Sequence, residues 1–216
     1  MDAYVFDFDG LIIDTEWTEY HSICEEFARV GLDFDLVAWQ ACVGTAWTVA
    51  WLDELDQRAP GLVDRDVVTA RRRARKLALN DELAILPGVM NRIAEAGAHG
   101  LGLAIASSSP RTWVDPHLDR LGLREHFGVV VTRDDVASAK PAPDLYLAAV
   151  AALGVEPRRA VAFEDSHNGC LAAKAAGLYC VAVPNPITAT QDFSHADLVA
   201  GSLDEIDLPL LRRLDV

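Results

Sequence analysis

Four consecutive residues near the start, Ala3-Tyr4-Val5-Phe6, form an apolar run that breaks at Asp7, and similar runs recur through the second half of the chain. They fall at Leu101 to Ala106, Val129 to Val131, Ala160 to Phe163 and Leu178 to Val183, with a last short one near Leu198. Short apolar runs bounded by turn residues predict strands buried on both faces. Between them, apolar positions recur at helical spacing: to about Ala98, to Leu121, from Pro143 to Leu153 and from Asn168 to Ala176. That alternation predicts a doubly wound parallel sheet, an α/β core of Rossmann-like type. From Thr15 to Leu86 the pattern differs. Tyr20, Ile23, Cys24, Phe27 and Val30 share a helical period, further helical segments cover Asp35 to Cys42, Ala46 to Arg58 and Asp64 to Leu79, and no strand intervenes. The expected organisation is a core of residues 1–14 and 87–216, with an all-helical cap, 15–86, inserted after the first strand.

Local signals sharpen these boundaries. Asp14-Thr15-Glu16 places acids at the positive end of a helix, and Gly31, Gly122, Gly154 and Gly177 each follow a helical run as a C-terminal cap does. Ser109-Pro110 and Asp115-Pro116 each set a capping residue before a proline, which predicts two short helical pieces there.

Composition narrows the function. Hydrophobic residues make up 51% of the 216, so the chain folds around a sizeable core. With 33 acidic and 19 basic residues the net charge is -14, which argues against a nucleic-acid or anionic-membrane partner but not against a small anionic substrate. Cys24, Cys42, Cys170 and Cys180 show no close pairing and read as buried free thiols. No signal peptide or membrane span is visible, so a cytoplasmic protein is expected, working as a monomer.

The chemistry gathers where strands end, because in an open parallel sheet the binding crevice lies at the carboxyl ends. The first strand ends in Asp7-Phe8-Asp9-Gly10, delivering two acids to one mouth and a glycine where the chain turns. Two neighbouring carboxylates repel unless a cation or a retained proton offsets the charge. The strand to Ala106 ends in Ser107-Ser108-Ser109, where hydroxyls and free backbone N–H groups suit an anion. Beyond Val131 a loop carries Lys140-Pro141, and the strand to Phe163 ends in Glu164-Asp165 followed by Ser166-His167-Asn168-Gly169. Taken singly these are a turn, a cap, a loop charge and a helix-start acid pair. Together they suit a hard cation with oxygen ligands, best Mg²⁺, beside a phosphate held by lysine and serine.

In this order the motifs resemble the haloacid dehalogenase-like hydrolase superfamily, in the helical-cap branch that includes β-phosphoglucomutase-like phosphatases. The similarity rests on DFDGLIIDTE (Asp7–Glu16), ASSS (Ala106–Ser109), KPAPDLY (Lys140–Tyr146) and FEDSHNGCLAAKAAG (Phe163–Gly177). It implies a Mg²⁺-dependent phosphatase for a small phosphorylated metabolite such as a sugar phosphate. Asp7 would be the nucleophile that forms an aspartyl-phosphate and Asp9 the general acid and base. Ser107, Ser108, Gly10 and Lys140 would hold the phosphoryl group. Asp7, Asp9 through its carbonyl, Glu164 and Asp165 would hold the metal, Glu164 directly or through water. The second aspartate, which dehalogenases of the superfamily lack, sets carbon–halogen hydrolysis aside. A phosphosugar mutase is the alternative, and an idle binding protein a third reading. The phosphoglucomutases carry a histidine five residues after the aspartate of the D-T pair; here that position is Glu19, with His21 about 200° further round the helix.

Other features carry less. The run Arg71-Arg72-Arg73-Ala74-Arg75-Lys76 surrounds a helix, so most of its charges meet solvent or acids, one of them possessing the reach to hold a second anionic group. Trp39, Trp47 and Trp51 suit packing in the helical segment, and Gly44-Thr45 suits a loop that enters a site. Neither His21 nor His167 has partners spaced in sequence for a zinc site.

Overall fold

The computed structural model describes residues 1–42 and 50–213; Gly44, Thr45, Trp47 and the side chain of Cys42 lie outside the described residues. The chain divides into two compact units. One is built from Met1–Ile13, Ala84–Asn185 and Asp192–Val216, the other from Asp14–Leu83 and Pro186–Gln191. The sequence pattern assigns 186–191 to the α/β part; in the structure this stretch belongs to the helical unit, where Ile187 is buried in the same cluster as Ile23, Phe27 and Trp39.

Among the described residues, the α/β unit carries six parallel strands in the order β3-β2-β1-β4-β5-β6. They are β1 (Ala3–Phe6), β2 (Gly102–Ala106), β3 (Val129–Val131), β4 (Ala160–Glu164), β5 (Tyr179–Ala182) and β6 (Leu198–Val199). Its helices are α5 (Val89–His99), α6 (Arg111–Arg120), α7 (Asp144–Leu153), α8 (His167–Ala175) and α9 (Leu208–Arg212), the last of which the sequence pattern did not single out. Alternate residues of β1 serve opposite faces, as a strand's period of two requires. Ala3 and Val5 meet Leu145, Tyr146 and Ala149 of α7 and the alanines of α8. The small residues Ala104, Ala106, Ala160 and Ala162 of the neighbouring strands let those helices come close. On the other face Tyr4 meets Phe163 edge to face and Phe6 meets it at a tilt, and the Tyr4 hydroxyl donates to Glu95 of α5 at 2.9 Å. The core is thus a doubly wound α/β sheet. In its register Phe6 stands opposite Ile105 and Phe163, so Asp7, Ser107 and Glu164 emerge together at one edge.

Around Ser109 and Pro116 the expectation of two helical pieces is corrected. Residues Arg111–Arg120 form one helix with Pro116 inside it. The missing N–H forfeits one hydrogen bond, while Val114 and Leu118, one turn apart, are both fully buried and hold the inward face in register. Nor does Ser109 cap the helix: Pro110 occupies the N-cap position, and the Ser109 hydroxyl is used elsewhere.

In the helical unit, α1 (Thr15–Arg29), α2 (Leu36–Cys42), α3 (Ala50–Arg58) and α4 (Arg65–Asp81) surround Phe27, Phe34, Trp39, Trp51 and Leu55. Asp14 caps α1 by accepting from the Trp17 N–H, and Asp64 caps α4 in the same way. The basic run of α4 is matched to the acids of α1. Arg71 pairs with Glu26, Arg75 with Glu25, and both Arg72 and Lys76 with Glu19. Burial pushes the Glu19 carboxyl up, but Lys76 and Arg72 outweigh it and hold the group below its usual range. A lowered folded pKa adds stability above the unfolded value near 4.5 and loses it as pH falls through the folded value. Thermal melts of Glu19→Gln should therefore show a deficit of about 1–2 kcal/mol at pH 7 that shrinks as pH falls below the unfolded value and through the lower folded one. A deficit independent of pH would assign the loss to packing.

Cys170 and Cys180 are buried free thiols as expected, whereas Cys24 is only half-buried. Among the described residues, no helix is long and apolar enough to cross a membrane.

Candidate active site

At the carboxyl edge of β1 the chain folds back on itself. Ile12 N–H donates to the Phe8 carbonyl at 3.0 Å and Gly10 N–H to the Ile13 carbonyl at 2.8 Å. Gly10 has φ +83, and a Cβ there would lie 2.1 Å from Asp165 Oδ2. Only glycine lets the Asp165 carboxylate press against this turn. The Asn185 amide fixes the contact, donating to Asp165 Oδ2 at 2.7 Å and to the Gly10 carbonyl at 3.3 Å.

Asp7, Glu164 and Asp165 are all buried, and their candidate ligand oxygens lie within 4.8 Å of one another. Lys140 reaches in from the loop before α7, pairing with Asp7 and donating to Glu164 Oε1 at 2.6 Å. Burial is the main force on Asp7, and Glu164 and Asp9 add to it; together they overcome the pull of Lys140 and push the carboxyl up to about 8. Burial lowers the Lys140 ammonium, but Asp7 and Glu164 more than restore it, leaving it above its usual range. Lys140 thus serves two of the three crowded acids, Asp7 and Glu164. An all-oxygen donor set with an excess of negative charge fits a divalent hard cation.

Glu164 is the most heavily used of the three. Oε1 accepts from Lys140 and from the Tyr146 hydroxyl at 2.8 Å, and Oε2 accepts from the N–H groups of Asp165 and Ser166 and from the Ser166 hydroxyl at 3.1 Å. On α8 it faces Gly169, where a Cβ would sit 1.9 Å from the carboxylate. Glu164 is thereby a hub that fixes Lys140 and the start of α8.

Asp9 is held from β2 and α6. Its Oδ2 accepts from the Ser109 hydroxyl at 2.6 Å and from Ser107 at a long 3.4 Å, and its Oδ1 accepts from the Trp113 indole at 2.8 Å. Ser107 is buried and its oxygen accepts from the Ser109 N–H at 3.0 Å; Ser108 is exposed between them. The structure therefore brings Asp7, Asp9, Gly10, Ser107, Lys140, Glu164 and Asp165 to one edge of the sheet.

A model of the haloacid dehalogenase-like hydrolases matches residues 1–177. The chain belongs to that family. YhcW of Bacillus subtilis, a phosphatase by provisional name, is 41% identical over 97% of this chain and 95% of its own length. Hexitol phosphatase B of Escherichia coli is 32% identical over 94% of this chain and 93% of its own. The crystal structure of CbbY from Rhodobacter sphaeroides, in complex with phosphate, superposes with a TM-score of 0.74 at 32% identity, covering both chains fully.

Three residues of this hydrolase's site went unmarked in the sequence. Tyr146 lies inside the KPAPDLY motif but six residues past its lysine, and Trp113 lies one helical turn past Ser109. Asn185 follows the end of β5, so the strand-end rule that found the other clusters extends to it. His167 has no partners spaced in sequence for a metal site, while the fold sets His195 Nε2 3.1 Å from its Nδ1, with Asp192 alongside.

Proposed function

We propose that this hydrolase is a Mg²⁺-dependent phosphatase that removes phosphate from a small phosphorylated metabolite, such as a sugar phosphate, through an aspartyl-phosphate on Asp7. The observation that carries the reading is the buried group Asp7, Lys140, Glu164 and Asp165 at the carboxyl edge of β1 and β4, three crowded acids of which Lys140 pairs with two, Asp7 and Glu164. The names of YhcW and hexitol phosphatase B support the phosphatase class.

Asp7 and Asp165 would hold the metal, with the carbonyl of Asp9; Glu164, whose oxygens are already taken by protein donors, would act mainly by placing Lys140. When bound, Mg²⁺ supplies positive charge that favours the ionised, nucleophilic form of Asp7 and offsets the charge of the phosphate. Asp7 would then attack phosphorus in line, while Lys140 and the Ser107 hydroxyl stabilise the oxygens of the transferring group. Asp9 would protonate the leaving oxygen and later take a proton from water. Trp113 and Ser109 donate to its two oxygens, one on each side, and so set its orientation. The mutase reading is weaker, because the α1 position that phosphoglucomutases fill with histidine holds Glu19, committed to Arg72 and Lys76.

The test is phosphate release from a panel of phosphorylated metabolites with Mg²⁺ and with EDTA. Release from one compound class, lost on chelation and restored by Mg²⁺, is expected. Equal release in EDTA would overturn the metal; sugar-phosphate interconversion that requires a bisphosphate, without release, would overturn hydrolysis.

A further inference from the structure

Away from the acids of β1 and β4, the start of α8 meets the stretch that leads into β6. His167 Nδ1 lies 2.7 Å from the backbone carbonyl of Asp192 and 3.1 Å from His195 Nε2. The two rings stand edge to face with centroids 4.7 Å apart. One ligand atom from each of His167, Asp192 and His195 falls within 4.8 Å of the other two.

We infer that His167, Asp192 and His195 form a second metal site, for a Zn²⁺-class cation. Two ligands bound about 2.0–2.1 Å from a tetrahedral zinc stand roughly 3.3–3.4 Å apart. The 3.1 Å between the two ring nitrogens is within a few tenths of an ångström of that edge. Without metal, a proton on Nδ1 of His167 serves the Asp192 carbonyl at 2.7 Å; metal binding releases that proton, and the ring turns off the carbonyl so that Nδ1, His195 Nε2 and the Asp192 carboxylate face one cation. Imidazoles select zinc, nickel or copper over magnesium, so this site differs in kind from the all-oxygen group of Asp7, Glu164 and Asp165. The ligands are exposed or half-buried, which leaves room for water as the fourth ligand.

The site has a mechanical meaning. His167 opens α8 two residues after Asp165, and Asp192 is the first residue of the α/β unit after 186–191. A metal here ties the turn that carries Glu164 and Asp165 to the point where the chain returns. It is a staple, and no part of the proposed hydrolysis depends on it.

Calorimetric titration of Zn²⁺ into chelator-treated protein, with Mg²⁺ in excess, tests the site. Wild type is expected to take up one more tight equivalent than His195→Ala, the affinity at this step falling at least about tenfold, and to gain melting temperature on zinc addition where the variant does not. The metal-free melts of the two should agree, since His195 is on the surface layer. Should His195→Ala fold poorly, Asp192→Ala at the exposed ligand must show the same loss. Unchanged zinc uptake in the folded variants, or a zinc step that vanishes in Asp165→Asn but not in His195→Ala, overturns the site.

Discussion

Asp7→Asn is expected to lower phosphate release by at least about 10³-fold while leaving the fold intact. The amide keeps the shape of the carboxylate but is no nucleophile toward phosphorus. Lys140 is not stranded, because Glu164 still accepts from it at 2.6 Å. In the metal-free protein the substitution also removes one of three crowded acids, whose carboxyl burial has already pushed up to about 8. A raised carboxyl pKa opposes stability at any pH above the unfolded value, so Asp7→Asn should melt no lower than wild type near neutral pH. Activity within tenfold of wild type would remove Asp7 from the role of nucleophile. A lost activity accompanied by a collapsed melt would leave the role to be judged from Asp7→Glu, which keeps the charge but displaces the attacking oxygen.

Gly169→Ala should be strongly damaging although it adds a single methyl. Glycine in a helix ordinarily costs stability, and alanine there would add about 1 kcal/mol. Here the sign reverses, because the added Cβ would stand 1.9 Å from the Glu164 carboxylate, which is fully buried and accepts from Lys140, Tyr146 and Ser166. Either α8 shifts or Glu164 moves and strands its donors. Overpacking together with a disturbed buried ion pair costs on the order of 3 kcal/mol or more. Urea denaturation should show a midpoint far below that of wild type, together with a loss of activity that added Mg²⁺ does not repair. A midpoint unchanged within error would mean that Glu164 has slack that the geometry denies it.

Most of the polar clusters were legible because each stands at the end of an apolar run, and a parallel sheet carries all such ends to one edge. Asp7, Ser107 and Glu164 could be read in this way without any knowledge of strand order, and Lys140 from the loop that follows β3. What the chain could not disclose is how a carboxylate is shared once it arrives. That Glu164 is consumed by five protein donors, and that Ser109 turns to Asp9 instead of capping α6, depends on which side chains converge from distant elements. Pairings across long separations are hidden for the same reason, as His167 and His195 show. The proline signal at Pro116 misled because local propensity was outweighed by the burial of Val114 and Leu118 on either side of it. The final helix α9 was missed because five residues with a proline near the front carry too little periodicity to read.

The placing of 186–191 bears on how the helical unit could be moved from one scaffold to another. The helical unit is discontinuous, so the peptide passes between the two units four times: after Ile13, Leu83, Asn185 and Gln191. A graft that moved only residues 14–83 onto another scaffold would leave behind Ile187, which is fully buried among Phe27 and Trp39, and the Pro186 carbonyl to which Gln40 donates at 2.8 Å. The transplant would inherit an open cavity and an orphaned amide. Recombination of this unit, whether in the laboratory or over generations, must carry a second, distant hexapeptide along with it.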